Sequence, residues 1–474
     1  MGSLFSALTT AGQALQQFER AIDVTQNNVT NANSPGYAEQ VPELSSLPFQ
    51  LNTGLAGGVV EQTHDTRSSY ADTAVQQQLS LQGTFQQLQT TLAPLQSVFD
   101  VSSSSAIPSA LNQLFQSFSQ WSTQPNNANY QNGVISAAKQ TASAFQQAAA
   151  QLNNIQNATT NDIQSTVTQI NQDAATIQSY NAAIAQSTSA DTGLSAQLEN
   201  TLENLSSLAN VQVFKGLGGT VTVLLGGQTP LVVGTQVNAI SAGNNTASNS
   251  GNPAAAPTIS IFDSNGGDIT NDLTSGSLSG LLSVRNDLLP SLAGGGQQVG
   301  GLNTLAKSLA DTVNNVLAQG STTNTPPYQS GSPLFTYNSN SPAGTASSLS
   351  VVSTITGGDL AAASPGPPFS ANGNALTLAG LDSASPGPVN GQGFTQYFGS
   401  LVSTVGNAVN NANTGATAQT NLVAQAKSLQ HQVSGVSLDE EAIRLVQLQS
   451  SYQAVSKLVT VIDQLTQSLM SMVQ

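Results

Sequence analysis

The chain has no cysteine in 474 residues, which excludes a disulfide framework, a thiolate zinc site and a cysteine nucleophile. Basic residues are scarce too: nine Lys plus Arg against 24 Asp plus Glu, a formal net charge of −15. The nine are Arg20, Arg67, Lys139, Lys215, Arg285, Lys307, Lys427, Arg444 and Lys457, scattered singly. No basic patch can be drawn from them, so neither nucleic acid nor a membrane surface is expected as a partner. Charged residues of both signs reach only 7%, where about a quarter is usual. No apolar run approaches the roughly 20 residues that span a bilayer. The first basic residue is Arg20 and the early apolar residues are periodic rather than continuous, so no Sec-type signal peptide is expected. Export would then read an uncleaved N-terminus.

Catalytic and metal-binding patterns are missing as well. The only histidines, His64 and His431, have no second candidate ligand near them in sequence and read as surface residues. HExxH, Walker A and GxSxG do not occur. Gly216-Leu217-Gly218-Gly219 lacks the third glycine of a dinucleotide loop and sits between β-forming runs. Asp263-Ser264-Asn265-Gly266-Gly267-Asp268 starts like a calcium loop, but Gly267 replaces the third ligand and Thr274 the closing glutamate. A tight turn is expected there. No catalytic residue, cofactor or metal ligand is assigned, and the chain does not read as an enzyme.

What is present is periodicity. A Gln/Ser/Asn/Thr/Ala-rich chain of low charge could remain disordered, yet 38% of the residues are apolar and several stretches space them regularly. At the start, Leu4, Leu8, Ala11, Leu15, Phe18, Ile22, Thr25 and Val29 alternate steps of four and three, nearly four heptads of an a/d seam. Near the other end, Leu438, Glu441, Leu445, Leu448, Tyr452, Val455, Val459, Ile462, Thr466, Leu469 and Val473 do the same. Neither helix can bury such a stripe alone, and the economical partner for each is the other. Pro35 disfavours a helical Ser34 and Gly36 permits positive φ, which stops the first helix near Asn31. Ser437 and Glu440 form a capping-box pattern at the start of the last helix, with acidic residues at its positive end.

Between these ends, helices are expected over 69–100 (with Pro94 kinking or ending it), 107–121 and 128–190. In the longest of them Ile163, Ile170, Ile177 and Ile184 lie seven apart, and Asn181 is read as setting register. β-branched runs at 211–214, 221–225 and 231–233, punctuated by glycine, predict a small antiparallel unit, and 258–262 one further strand. Residues 241–257 read as linker. Helical spacing returns at 278–289, 302–317 and 394–433, and 320–393 reads as extended loops with weak strands. The fold class is mainly α with small β inserts, a nested multidomain architecture. Residues 1–35 with 437–474 form a terminal coiled coil, 36–207 with 273–320 and 394–436 a helical body, 208–272 a β insert, and 321–393 a Pro/Gly/Ser-rich insert.

The ends also carry motifs. Asn27-Asn28-Val29-Thr30-Asn31-Ala32-Asn33-Ser34-Pro35-Gly36-Tyr37 resembles the N-terminal signature of bacterial flagellar axial proteins. Ser434-Gly435-Val436-Ser437-Leu438-Asp439-Glu440-Glu441, followed by 448–454, looks like the C-terminal signature of the hook-associated protein 1 (FlgK) family. The segment 276–290 is similar to that family's central motif, as are 305–314 and 333–335. One departure is Glu199-Asn200-Thr201-Leu202-Glu203, where the family has an Asp-Gln-Arg-Asp-like stretch; no arginine is present.

The resemblance implies a structural subunit of the extracellular flagellum at the hook–filament junction, secreted by type III export and needed for filament assembly and motility. It implies self-association into a helical layer, contacts to the hook subunit and to the filament-side hook-associated protein, and an export chaperone. The assembly residues would be those of the two seams, with Asn27, Asn28, Asn31, Asn33, Gly36, Tyr37, Ser434, Gly435, Leu438, Asp439, Glu440 and Glu441 as family positions. Another axial subunit of hook or rod type, or a secreted adhesin, are the competing readings.

Overall fold

The computed structural model describes residues 2–46, 59–101, 103, 106–186, 192–245, 257–295, 298–366 and 368–473. Helix α1 (Gly2–Asn31) leads through a turn to a two-stranded antiparallel hairpin, β1 (Gln40–Ser46) and β2 (Val59–Asp65). Three helices follow: α2 (Ser69–Val98), α3 (Ile107–Thr123) and α4 (Ala128–Gln186), the last with 59 residues and a length of about 90 Å. Ser68 caps α2 by accepting the Ala71 amide hydrogen at 3.4 Å. The helix runs four residues past Pro94 to Val98. Proline there removes one hydrogen bond in the closing turns, while Leu92, Leu95 and Phe99 stay buried around it, and that packing outweighs the loss. Pro108 does occupy the first turn of α3, as its sequence position predicts.

Helix α5 (Thr192–Leu208) folds back along α4, and a four-stranded antiparallel meander follows: β3 (Val211–Lys215), β4 (Val221–Leu225), β5 (Thr229–Val233) and β6 (Gln236–Val237). The isoleucine row of α4 packs there. Ile163, Ile170 and Ile177 are fully buried against Leu198, Leu202 and Leu205 of α5 and Val221, Val223 and Leu225 of β4, while Ile184 is half-buried. Two asparagines of α4 hold the sheet by its backbone. Asn181 accepts from the Val221 amide at 2.8 Å and donates to the Val221 and Gly234 carbonyls, both at 2.7 Å. Asn171 makes the same reciprocal pair with Ile240. Each saturates an amide side chain that would be costly to bury unpaired.

The stretch expected as linker holds a strand, β7 (Ser241–Asn245), paired with β8 (Thr258–Phe262). Its Ser-Ala-Gly-Asn-Asn sequence has no β-formers, and the pairing is carried by Ile259 and Ile261 of β8, both buried. After β8, Asp263 Oδ1 accepts from the Asn265 and Gly267 amides, which makes the calcium-like segment a tight turn. Helix α6 (Ser277–Ser283) passes through a π turn at Val284–Leu288 into α7 (Leu289–Ala293), and α8 (Gly301–Gln319) follows.

The Pro/Gly/Ser-rich tract carries β9 (Phe335–Thr336), α9 (Thr345–Ser348), β10 (Ser350–Val351) and α10 (Gly373–Ala379). Leu334, Phe335, Leu349, Leu360, Ala375 and Leu378 enter the same core as α3, α4 and α8. Asparagines of α8 organise it. Asn303 donates to the Ala293, Val299 and Ala343 carbonyls and accepts from the Ala346 amide, and Asn314 brackets Leu334 and Phe335. Helix α11 (Phe394–Ser434) then lies along α2, and α12 (Leu438–Val473) returns to α1. Among the described residues, no helix is long and apolar enough to cross a membrane.

Candidate assembly site at the base of the terminal helices

Helices α1 and α12 pack antiparallel. Leu4 and Leu8 share a small cleft with Thr466 and Leu469 at one end, and Asn28 lies against Glu441 at the other. On α12 the buried side follows the predicted seam: Glu441, Leu448 and Ile462 are buried, and Leu445, Val455 and Val459 half-buried. On α1 the buried row is Ala11, Ala14, Ala21, Thr25 and Asn28. It shares Ala11 and Thr25 with the predicted row and adds Ala14, Ala21 and Asn28, whose small or polar side chains allow the closest approach. Leu4, Leu8, Leu15, Phe18 and Ile22 flank the contact half-buried, and Val29 is exposed. Leu438, Tyr452 and Leu469 are exposed as well. A second apolar row on α12 (Ile443, Val446, Leu458, Val461 and Leu465) also faces solvent.

The base of the pair is polar and built from the two motifs. Asn28 is fully buried; it donates to the Gln40 carbonyl at 2.7 Å, accepts the Gln40 amide hydrogen at 3.0 Å and accepts from the Tyr37 hydroxyl at 2.9 Å. Tyr37 can turn back because Gly36 takes φ +73°, and a Cβ there would stand 2.4 Å from the Ala196 carbonyl oxygen. Glu441 lies beneath. Burial raises its pKa above the ordinary value; the Asn28 hydrogen bond and Arg444 oppose this, and Glu39 adds to it. Arg444 donates to Glu39 at 2.9 Å and pairs with Glu441. Ser434 clasps the helix junction: its carbonyl accepts from the Glu39 amide at 2.9 Å, and its hydroxyl accepts from the Ser68 amide at 3.0 Å and donates to the Thr66 carbonyl at 3.2 Å. At Gly435 a Cβ would meet the His431 carbonyl at 2.4 Å.

Asn28, Tyr37, Ser434 and Glu441 are thus brought together. Asn27, Asn33, Leu438, Asp439 and Glu440 point outward, and Asn31 bonds back to the Asn27 carbonyl. Ser437 Oγ accepts the Glu440 amide hydrogen at 3.4 Å at the start of α12.

Sequence reasoning did not find the second charged group beneath this base. Arg67, whose side chain is 8% exposed, stands 3.5 Å from Glu199 and 3.9 Å from Asp72 and donates to the Gly36 carbonyl. Lys215 of β3 bonds Asp72 at 3.2 Å, Gln430 of α11 bonds its other oxygen at 2.9 Å, and Gln76 donates to Glu199. Burial and the Asp72 charge raise the pKa of Glu199, and Arg67 and Lys215 oppose them. Within 199–203, which holds no arginine of its own, Glu199 takes Arg67 as its cationic neighbour. Nearby, Lys427 bonds Glu203 at 2.9 Å beside a cleft of about 280 Å³ that Asn33, Gly36, Tyr37, Glu203, Lys427 and His431 help to line. No sequence spacing links these residues. The only available signal was that each is a charge in a chain with few of them.

Chemically, this is a mount: a rigid polar joint that fixes an antiparallel helix pair to a helical body. Comparison with known proteins places that architecture. Residues 8–37 match the family described as flagella basal body rod protein, and 431–472 the C-terminal domain of flagellar basal body rod FlgEFG proteins. The class is therefore a flagellar axial structural protein. Residues 92–335 match the helical domain of flagellar hook-associated protein FlgK, and the chain belongs to that family. It is 25% identical to flagellar hook-associated protein 1 of Bacillus subtilis (strain 168), over 98% of this chain and 97% of the relative. Its fold resembles the flagellar hook junction protein FlgK from Burkholderia pseudomallei, with a TM-score of 0.64 and 18% identity, over 76% of this chain and 100% of that one.

Proposed function

We propose that this chain is the subunit that joins flagellar hook to filament, layering helically through its terminal helices. The observation that carries the reading is the terminal pair itself. It spends its small residues on the internal contact and leaves Ile443, Val446, Leu458, Val461 and Leu465 exposed beside half-buried Leu15, Phe18 and Ile22. An apolar face of that extent is ordinarily covered by a neighbour. A heterologous contact between copies builds helical layers when its rotation does not close. In this reading 1–35 with 437–474 line the inner tube and the body and inserts face outward. One side of the layer meets the hook subunit and the other the filament-side hook-associated protein. A chaperone covers the terminal helices before export, and the N-terminus is not cleaved.

Electron microscopy of cells lacking the gene tests this directly. Hooks without filaments, with unassembled flagellin in the medium, are expected; normal filaments would overturn the reading. At the residue level, Leu15→Glu or Ile462→Glu is expected to block assembly while circular dichroism of the body stays unchanged. Normal incorporation of either variant would remove the seams from the assembly contact.

A further inference from the structure

The long helix α4 serves two hydrophobic cores in turn. Residues up to Leu152 pack with α3 and α8, and residues from Ile163 onward pack with α5 and the sheet. Between them lies a short polar layer: Gln156, Thr159 and Thr160 on α4, and Arg285 entering from the π turn. π turns of this kind recur at functional sites.

Arg285 is 4% exposed. Its Nε donates to Thr160 Oγ1 at 2.9 Å and its Nη2 to the Pro257 carbonyl at 2.9 Å. Nη1 is buried with no hydrogen-bond partner among the described residues. One turn before Thr160, whose hydroxyl bonds the Gln156 carbonyl at 2.9 Å, Gln156 is also buried, and its Nε2 also has no partner. Two residues with an unpaired buried donor thus meet at one threonine: Arg285 bonds its hydroxyl through Nε, and Gln156 accepts from it through its carbonyl one turn earlier.

The charge is also uncompensated. Among the described residues no carboxylate pairs with Arg285; Asp287 and Asp162 are exposed, and burial lowers the Arg285 pKa with no acidic neighbour opposing it. The segment 246–256 that precedes Pro257 contains neither Asp nor Glu. A guanidinium cannot shed its proton to escape burial, so its charge calls for a counter-ion.

We infer that Arg285 and Gln156 hold a small monovalent inorganic anion, chloride-sized, in the polar layer between the two cores. The anion would accept from Nη1 of Arg285 and Nε2 of Gln156 and supply the negative charge the chain lacks there. It would stabilise the joint between the α3–α4–α8 core and the α5–sheet core.

The full chain in potassium chloride and in potassium gluconate at equal ionic strength is the test, since gluconate is too large for an interior site. Thermal unfolding is expected to rise by about 3 °C in chloride, and the Arg285→Met and Gln156→Leu variants should lose the difference. Crystals of the unmutated chain soaked in bromide should show an anomalous peak beside Nη1, a readout independent of whether the variants fold. Equal melting in the two salts, or a wild-type shift that both variants retain, would overturn the proposal. So would a bromide-soaked crystal with no peak at Arg285, leaving water to satisfy both donors.

Discussion

Charge is so rare in this chain that where it is buried matters. Arg67, Lys215, Lys427 and Arg444 all sit at or just below the base of the terminal helices. Replacing Arg67 with methionine leaves Asp72 and Glu199 buried with weakened compensation. We expect a loss of about 3–5 kcal/mol in urea unfolding, whereas Lys139→Met, at an exposed site, should change little. Glu441 gives a pH signature. Its folded pKa is raised above the ordinary 4.5, so the folded state holds its proton more tightly than the unfolded one. Its contribution to stability is fully present below the unfolded value and is lost as pH rises through the raised one. Glu441→Gln should therefore flatten the decline of melting temperature with rising pH in that window; an unchanged slope would assign it to another group. Asn28, Tyr37 and Glu441 were visible in the sequence because they belong to motifs. Arg67 and Glu199 were not, because their meeting is set by three elements that no spacing rule connects.

At the level of elements, strong periodicity was legible and pairing was not. The isoleucines of α4 announce a buried face, and Ile170→Ala is expected to cost about 3 kcal/mol, measurable by chemical denaturation. The β runs separated by glycines gave the meander for a similar reason: alternation and turn chemistry are local. The β1–β2 hairpin escaped notice because Pro42 interrupts its first strand and its support comes from elsewhere, with the Glu61 amide bonding Gln17 of α1 at 3.1 Å. Helix α9 and strand β9 lie in a tract whose composition suggests loop, and they are ordered from outside by Asn303 and Asn314 of α8. Composition reports what a segment can do alone, and these segments do not fold alone.

At the scale of the whole molecule, the terminal pair buries few apolar residues for its length: Ala11, Ala14, Ala21, Leu448 and Ile462. We expect hydrogen exchange on the unassembled chain to give lower opening free energies for residues 4–29 than for α4; equal protection would contradict this. The same pair has a further consequence. The Arg444–Glu39 bond joins residues 405 positions apart, and closing a flexible loop that long costs about 5 kcal/mol. The body removes most of that cost by bringing residues 36 and 434 side by side. The pair is thus a completion latch: a chain with a misfolded body would show two unpaired apolar helices, making folding of the interior a precondition for presenting a correctly shaped end.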